Sequence, residues 1–346
     1  MQIIVVLLWM KCAVYFSAGI GDAVLLIPLL KKLKASGYVV DGVFTSPFDC
    51  EALFRGSGLL QNSVRARGRK RALLFTALKQ RKKYASVFLN MFATTRTNLL
   101  AARIMACRVI CFVPERPLSF TQRVGCVQPL SGMHDATQNL RLLDAEATDA
   151  DLHPGAFRIK PELPDISIPT KRYFTLQLSA GNNVLRYKNW PVDRWIAFLR
   201  RATAAWPGHS FILLGDANET GCARKVLDAG IAHVHSVSGK TDVAEAMAYI
   251  HRSDCFIGLD GGLMHLAAAL GKPSFTLWGI SDPQMYGYEM IAPGTHRVLK
   301  AENPLTHSWL KPLADDELKK SHYLDDLQVD FVFDEFVNFA RSIHIS

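Results

Sequence analysis

Within six residues, Asp260-Gly261-Gly262-Leu263-Met264-His265 sets a carboxylate, two glycines and an imidazole directly after the short apolar run Cys255–Leu259. The run suits a strand inside a parallel sheet, and residues 263–270 are Ala- and Leu-rich at helical spacing. A Gly-Gly turn between strand and helix leaves first-turn N–H groups free, with the positive end of the helix dipole at the turn. Such a turn makes a pocket for an anion, and a diphosphate is the natural guest.

Other residues offer complementary chemistry. Gly19-Ile20-Gly21-Asp22 follows the first apolar run and opens the first helix, but Val24 stands where a dinucleotide fingerprint needs its third glycine, so an NAD site is not expected. What remains is Asp22 at a helix N-terminus, either a cap or a general base for an acceptor hydroxyl. Ser179-Ala180-Gly181-Asn182-Asn183, ahead of Lys188-Asn189-Trp190-Pro191, reads as a phosphate clamp with Ser179 and Lys188 as its donors, and Trp190 reads as core. Gly215-Asp216-Ala217-Asn218-Glu219 ends another apolar run. A carboxylate there takes ribose hydroxyls or caps a helix, and Glu219 is preferred over Asp216. His265 either binds phosphate or serves as a structural hydrogen-bonder. Asp149-Ala150-Asp151 matches the metal-binding Asp-x-Asp pattern but sits in a polar loop, and Cys107 and Cys111 sit on different elements, so no metal site is expected.

The elements that must position these residues alternate from the start, which is the pattern of parallel sheets covered by helices. Strands are expected at 12–17, 39–45, 85–92 and 108–113, with helices at 22–35, 48–55, 71–80 and 97–107. After a proline-bearing break at 114–131, a helix returns at 134–146. Pro154, Pro161, Pro164 and Pro169 mark a linker. A second series follows, with strands at 173–178, 210–214, 255–259 and 274–278 and helices at 192–205, 219–229, 241–251 and 263–270. The expected architecture is α/β: two Rossmann-like domains at 1–165 and 166–330. A C-terminal helix at 331–346 packs across them and returns to the first.

The chain has 346 residues, of which 49% are apolar, enough for two cores. Seven cysteines, odd in number and mostly inside apolar runs, argue against a disulfide framework and for a reducing, cytoplasmic setting. Residues 1–9 are apolar without a basic lead or a cleavage signal, and read as an extension ahead of the first strand. Charge is uneven: residues 1–165 hold 22 Lys and Arg against 12 Asp and Glu. Much of the excess lies in Arg65, Arg67, Arg69, Lys70 and Arg71 and in Lys79, Arg81, Lys82 and Lys83. That segment is either a solvated face or a surface for a phosphorylated or membrane-borne partner. Phe75 alone separates the two clusters, so a base-stacking groove and a nucleic-acid partner are not expected.

With these pieces in order, the chain resembles the ADP-heptose:lipopolysaccharide heptosyltransferases, glycosyltransferase family 9, which have the GT-B architecture of two facing Rossmann-like domains. The resemblance is carried by Gly19-Ile20-Gly21-Asp22 with Pro28, Lys188-Asn189-Trp190-Pro191, Gly215 to Glu219, Asp260 to Gly271, and Trp278-Gly279-Ile280-Ser281-Asp282-Pro283. It implies Asp22 as catalytic base, Lys188 and Ser179 as phosphate ligands and Glu219 on the ribose. Asp260, Gly261, Gly262 and His265 would form the sugar and diphosphate pocket. Transfer would be inverting and need no metal or other cofactor, with ADP-heptose as donor. The acceptor would be a phosphorylated lipid-linked glycan, met by Gly21, Arg67, Arg69, Lys70 and Arg71 beside an anionic membrane at the inner face of the inner membrane. Two departures stand out. Gly261 replaces the Ser or Thr of many members, and the loop between Ser179 and Lys188 is longer. A protein (adhesin) acceptor, or a noncatalytic nucleotide-sugar or nucleic-acid binder of the same fold, are the alternatives.

Overall fold

The computed structural model describes residues 10–66, 70–112, 124–168, 170–180, 186–302, 305–318 and 323–345. The chain divides into two units, Met1–Glu162 and Leu163–Ser346. In the first unit β1 (Lys11–Phe16), β2 (Val39–Phe44), β3 (Asn62–Arg65), β4 (Tyr84–Leu89), β5 (Ala106–Phe112) and β6 (Val124–Val127) form one sheet in the order β3-β2-β1-β4-β5-β6. All its pairings are parallel. β1 is buried almost throughout, as an inner parallel strand must be when helices cover both faces.

The expected single helix at 22–35 is two: α1 (Ile20–Leu25) and α2 (Ile27–Ala35), parted at Leu26. Pro28 lies in the first turn of α2 and has no N–H to continue α1, so the chain restarts there. α3 (Lys70–Lys79) and α4 (Arg96–Met105) lie side by side. They cover a core that includes Tyr15, Val43, Val87, Leu99 and Met105. α2 packs against α5 (Asp135–Arg141).

The second unit repeats the plan with β7 (Tyr173–Gln177), β8 (Ser210–Leu214), β9 (Val234–Ser236), β10 (Cys255–Leu259), β11 (Ser274–Trp278) and β12 (His296–Lys300). Their order is β12-β11-β10-β7-β8-β9, again all parallel. Helices α6 (Val192–Ala205), α7 (Thr220–Asp228), α8 (Val243–Arg252) and α9 (Gly262–Ala269) connect the strands. The last helix, α10 (Val329–Ser342), packs on α6, and its Phe336 meets Phe174, Trp206 and Phe275 edge-on. The strand order therefore reverses once in each sheet, between β1 and β4 and between β7 and β10. In such sheets ligands bind beyond the carboxyl ends of the strands flanking the reversal.

Four strands have no counterpart in the sequence reading: β3, β6, β9 and β12. They are the four outer strands of the two sheets.

Candidate functional site

In the second unit the reversal point is where the singled-out residues converge. β10 ends at Leu259, and Asp260 follows in the turn, 4% exposed. Lys188, in the short helical turn Arg186–Lys188 beyond β7, brings Nζ to 2.6 Å from Asp260 Oδ2. Burial alone would raise the Asp260 pKa. The Lys188 charge and hydrogen bond, a hydrogen bond from Ser281 and the nearby His265 outweigh it, and the carboxyl is held below its ordinary range. The group is thus an anion held by a cation, and Lys188 keeps part of its side chain open.

Gly261 caps α9 with extended backbone, and no side chain caps the helix among the described residues. Its first turn is half-buried, with Gly261, Gly262 and Leu263 all partly accessible. Asp260 directly precedes this helix end in the chain, so the first-turn N–H groups and the Lys188–Asp260 pair belong to the same strand end. His265, one turn in, is buried, and its Nδ1 lies 2.7 Å from the Tyr288 hydroxyl. It is therefore held by a structural partner and also contributes to the field at Asp260.

Glu219 is buried behind this turn. Its Oε1 accepts from Gln177 Nε2 at 3.0 Å and its Oε2 accepts from the Asp216 N–H at 3.1 Å. Burial dominates and pushes the carboxyl pKa up to about 8. Ser179, 1% exposed, lies beside the same carboxyl, and its Oγ has no well-formed hydrogen bond among the described residues. The structure thus groups Ser179 with Glu219 and Gln177. The rest of the expected clamp, residues 181–185, lies outside the described residues. Asn189 ties the two halves of the loop together by accepting from the Ala180 N–H at 2.9 Å, and Trp190 is core, its indole donating to the Leu327 carbonyl.

Three residues here escaped the sequence reading. Gln177 is a lone amide inside the apolar run Phe174-Thr175-Leu176-Gln177-Leu178, which is itself a signal. Its Oε1 is buried without a partner among the described residues and points to Gly261, where a Cβ would stand 3.0 Å away. Ser281, inside a motif already quoted, reaches Asp260. His307 pairs by backbone with Ser281 and lies edge-on to Tyr187. Its Nδ1 accepts from the Leu313 N–H at 3.2 Å, which leaves the proton of the neutral ring on Nε2. Burial first, then the Lys188 charge, hold its pKa below 6.5. Gly279, in the same quoted motif as Ser281, lets the strand end press against the Lys188 turn: a Cβ there would meet the Tyr187 carbonyl oxygen at 2.8 Å.

In the first unit Asp22 is half-buried in the first turn of α1, and its Oδ2 accepts from the Gly19 N–H at 2.8 Å. It lies just past β1, at that sheet's own reversal point, where Ser46 Oγ donates to the Ala18 carbonyl and fixes the turn. Gly21 is buried within α1. Arg71 is exposed, Lys70 opens α3, and Arg67 and Arg69 lie outside the described residues. Asp149 and Asp151 serve as caps: Asp149 accepts from the His134 N–H and Thr137 Oγ1, and Asp151 from the Thr148 N–H. Among the described residues no group of three or more His, Cys, Asp or Glu could hold a metal ion.

Comparison with known proteins shows the family and the fold. The family model described as glycosyltransferase family 9 (heptosyltransferase) matches residues 135–308. Lipopolysaccharide heptosyltransferase 2 of Escherichia coli K12 is 28% identical over 100 residues, which is 28% of this chain and 28% of that protein. The match thus spans little more than a quarter of the curated relative. Among solved structures, a family 9 glycosyltransferase of Veillonella parvula superposes with a TM-score of 0.75 at 18% identity, covering 96% of this chain and 97% of that one. The E. coli ADP-heptose lipopolysaccharide heptosyltransferase II gives 0.72 at 16%, covering 95% and 98%. An E. coli heptosyltransferase solved with ADP gives 0.69 at 16%, covering 96% and 100%. These likenesses show the two-sheet fold.

Proposed function

The chain belongs to glycosyltransferase family 9 (heptosyltransferase), and on that premise we propose that it transfers a heptose from ADP-heptose to a phosphorylated, lipid-linked glycan, with inversion and without a metal. The observation that carries the reading is the Lys188–Asp260 pair beside the uncapped N-terminus of α9. The donor diphosphate lies against Lys188 and the Gly261–Gly262 N–H groups, with Asp260 and His265 toward the sugar and Glu219 toward the ribose. That one E. coli relative was solved with ADP supports the adenine nucleotide.

The reaction is a single displacement. Asp22 takes the proton of the acceptor hydroxyl, the oxygen forms a bond to the anomeric carbon, and the bond from that carbon to the diphosphate breaks. The leaving group departs as ADP. Its developing charge is met by the Lys188 ammonium and by fixed N–H dipoles that need no reorganisation, the kind of stabilisation that removes several kcal/mol from a barrier. The ammonium does what a divalent ion does elsewhere. The test is Asp22→Asn with ADP-heptose and a heptose-accepting lipid glycan. Transfer should fall by about a thousandfold or more, within the range of a lost general base and its positioning, while ADP still binds. Transfer at the wild-type rate would remove Asp22 from the chemistry.

A further inference from the structure

The face of α3 turned away from the sheet carries the features of a surface that enters a lipid headgroup layer. Leu73 and Ala77 are buried against the sheet, while Arg71, Phe75 and Leu78 fall on one outward stripe at helical spacing. Phe75 is 60% exposed and Leu78 58%, and Leu100 on the adjoining α4 is 45% exposed. Single exposed apolar residues are ordinary, but a Phe and a Leu stacked on one helix face are not what a solvated helix presents.

Charge decides what could cover this face. Residues 52–114 hold thirteen Lys and Arg and no Asp or Glu. Lys79, Arg81 and Lys82 are exposed at the end of α3, and none of them forms an ion pair among the described residues. Lys79 Nζ sits 4.6 Å from the centre of the Phe75 ring, so cation and apolar group are presented together. Anionic lipid headgroups match the cations, and the acyl boundary beneath them matches Phe75 and Leu78. A nucleic acid would use the cations and leave Leu78 in water. A second copy of the chain would bring the same uncompensated cations against one another.

We propose that the outward face of α3 is a membrane-docking surface, in which Phe75 and Leu78 insert between anionic lipids while Lys79, Arg81 and Lys82 hold their headgroups. This deepens the acceptor side of the proposed function. Its test reads vesicle binding rather than transfer, so the two can fail separately. No helix among the described residues is long and apolar enough to cross a membrane.

The full chain is sedimented with phosphatidylcholine vesicles, with and without about a third phosphatidylglycerol. Wild type should bind the anionic vesicles and not the neutral ones. Phe75→Ser with Leu78→Ser should weaken binding by roughly tenfold or more with an unchanged melting temperature, since both side chains already face solvent. Lys79→Glu with Arg81→Glu should weaken it as well, and added salt should do so for every form. Equal vesicle binding by wild type and the Phe75/Leu78 variant would overturn the proposal. So would a wild-type dimer that the variant dissolves, or oligonucleotide binding as tight as vesicle binding and indifferent to Phe75 and Leu78.

Discussion

A Cβ on Gly215 would stand 1.8 Å from Glu219 Oε2. Glu219 folds back over the end of β8 only because residue 215 has no side chain, and Gly215 itself holds φ at +149°, a region that other residues rarely enter. Gly215→Ala should therefore destabilise the protein by about 3 kcal/mol and displace Glu219. Urea unfolding should show the loss, and ADP binding should weaken with it.

Glu219 also sets a pH dependence with a definite sign. Its folded pKa, pushed up to about 8 mainly by burial, lies above its ordinary 4.5, so the folded protein holds a proton that the unfolded chain gives up. Its contribution is full below the ordinary range and is lost as pH rises through about 8, by at most about 1.4 kcal/mol per pH unit. Urea unfolding between pH 6 and 8 should show wild type losing stability faster than Glu219→Gln. Parallel slopes would mean that Glu219 is ionised in the fold.

Asp260 works in the opposite direction. Its pKa lies below the ordinary range, so its contribution is present at neutral pH and lost as pH falls through the acid range. Lys188→Met leaves that carboxylate buried without its cation and should cost about 3 kcal/mol. The double variant Lys188→Met with Asp260→Asn should recover part of this in a denaturation cycle. Additive losses would show that the two do not interact.

His307 reports on the same pair. Its imidazole should titrate below 6.5 by NMR, since burial and then the Lys188 charge oppose protonation. In Lys188→Met its pKa should rise, because one of the two opposing causes is gone. An unchanged titration would place Lys188 too far from His307 to matter.

The inner strands and the helices between them were readable because they are buried on both faces and so form continuous apolar runs. β3, β6, β9 and β12 were not, because they are edges. Asn62-Ser63-Val64-Arg65 is mostly exposed and Val234-His235-Ser236 has three residues, so neither carries a burial pattern in sequence. The site divides in the same way. Asp260, Gly261 and Lys188 were legible because each sits at a strand-to-helix turn whose residue types declare it. His307 was not, because it lies outside any periodic segment and comes to Lys188 only through its pairing with Ser281. The sequence allowed Asp22 to be a cap or a base, and the bond from the Gly19 N–H to its carboxylate is the cap.

The proposed transfer requires a nucleoside-diphosphate sugar held at Lys188 and the start of α9. Its most direct test is calorimetric titration of ADP-heptose, with UDP- and GDP-sugars alongside, into wild type and into Lys188→Met. Saturable one-to-one binding of ADP-heptose is expected, with weaker binding of the others and about a tenfold or greater loss in the variant, as when a charge-assisted contact to phosphate is removed. Absence of binding by any of the three sugars, or equal ADP-heptose affinity in the two proteins, would contradict it.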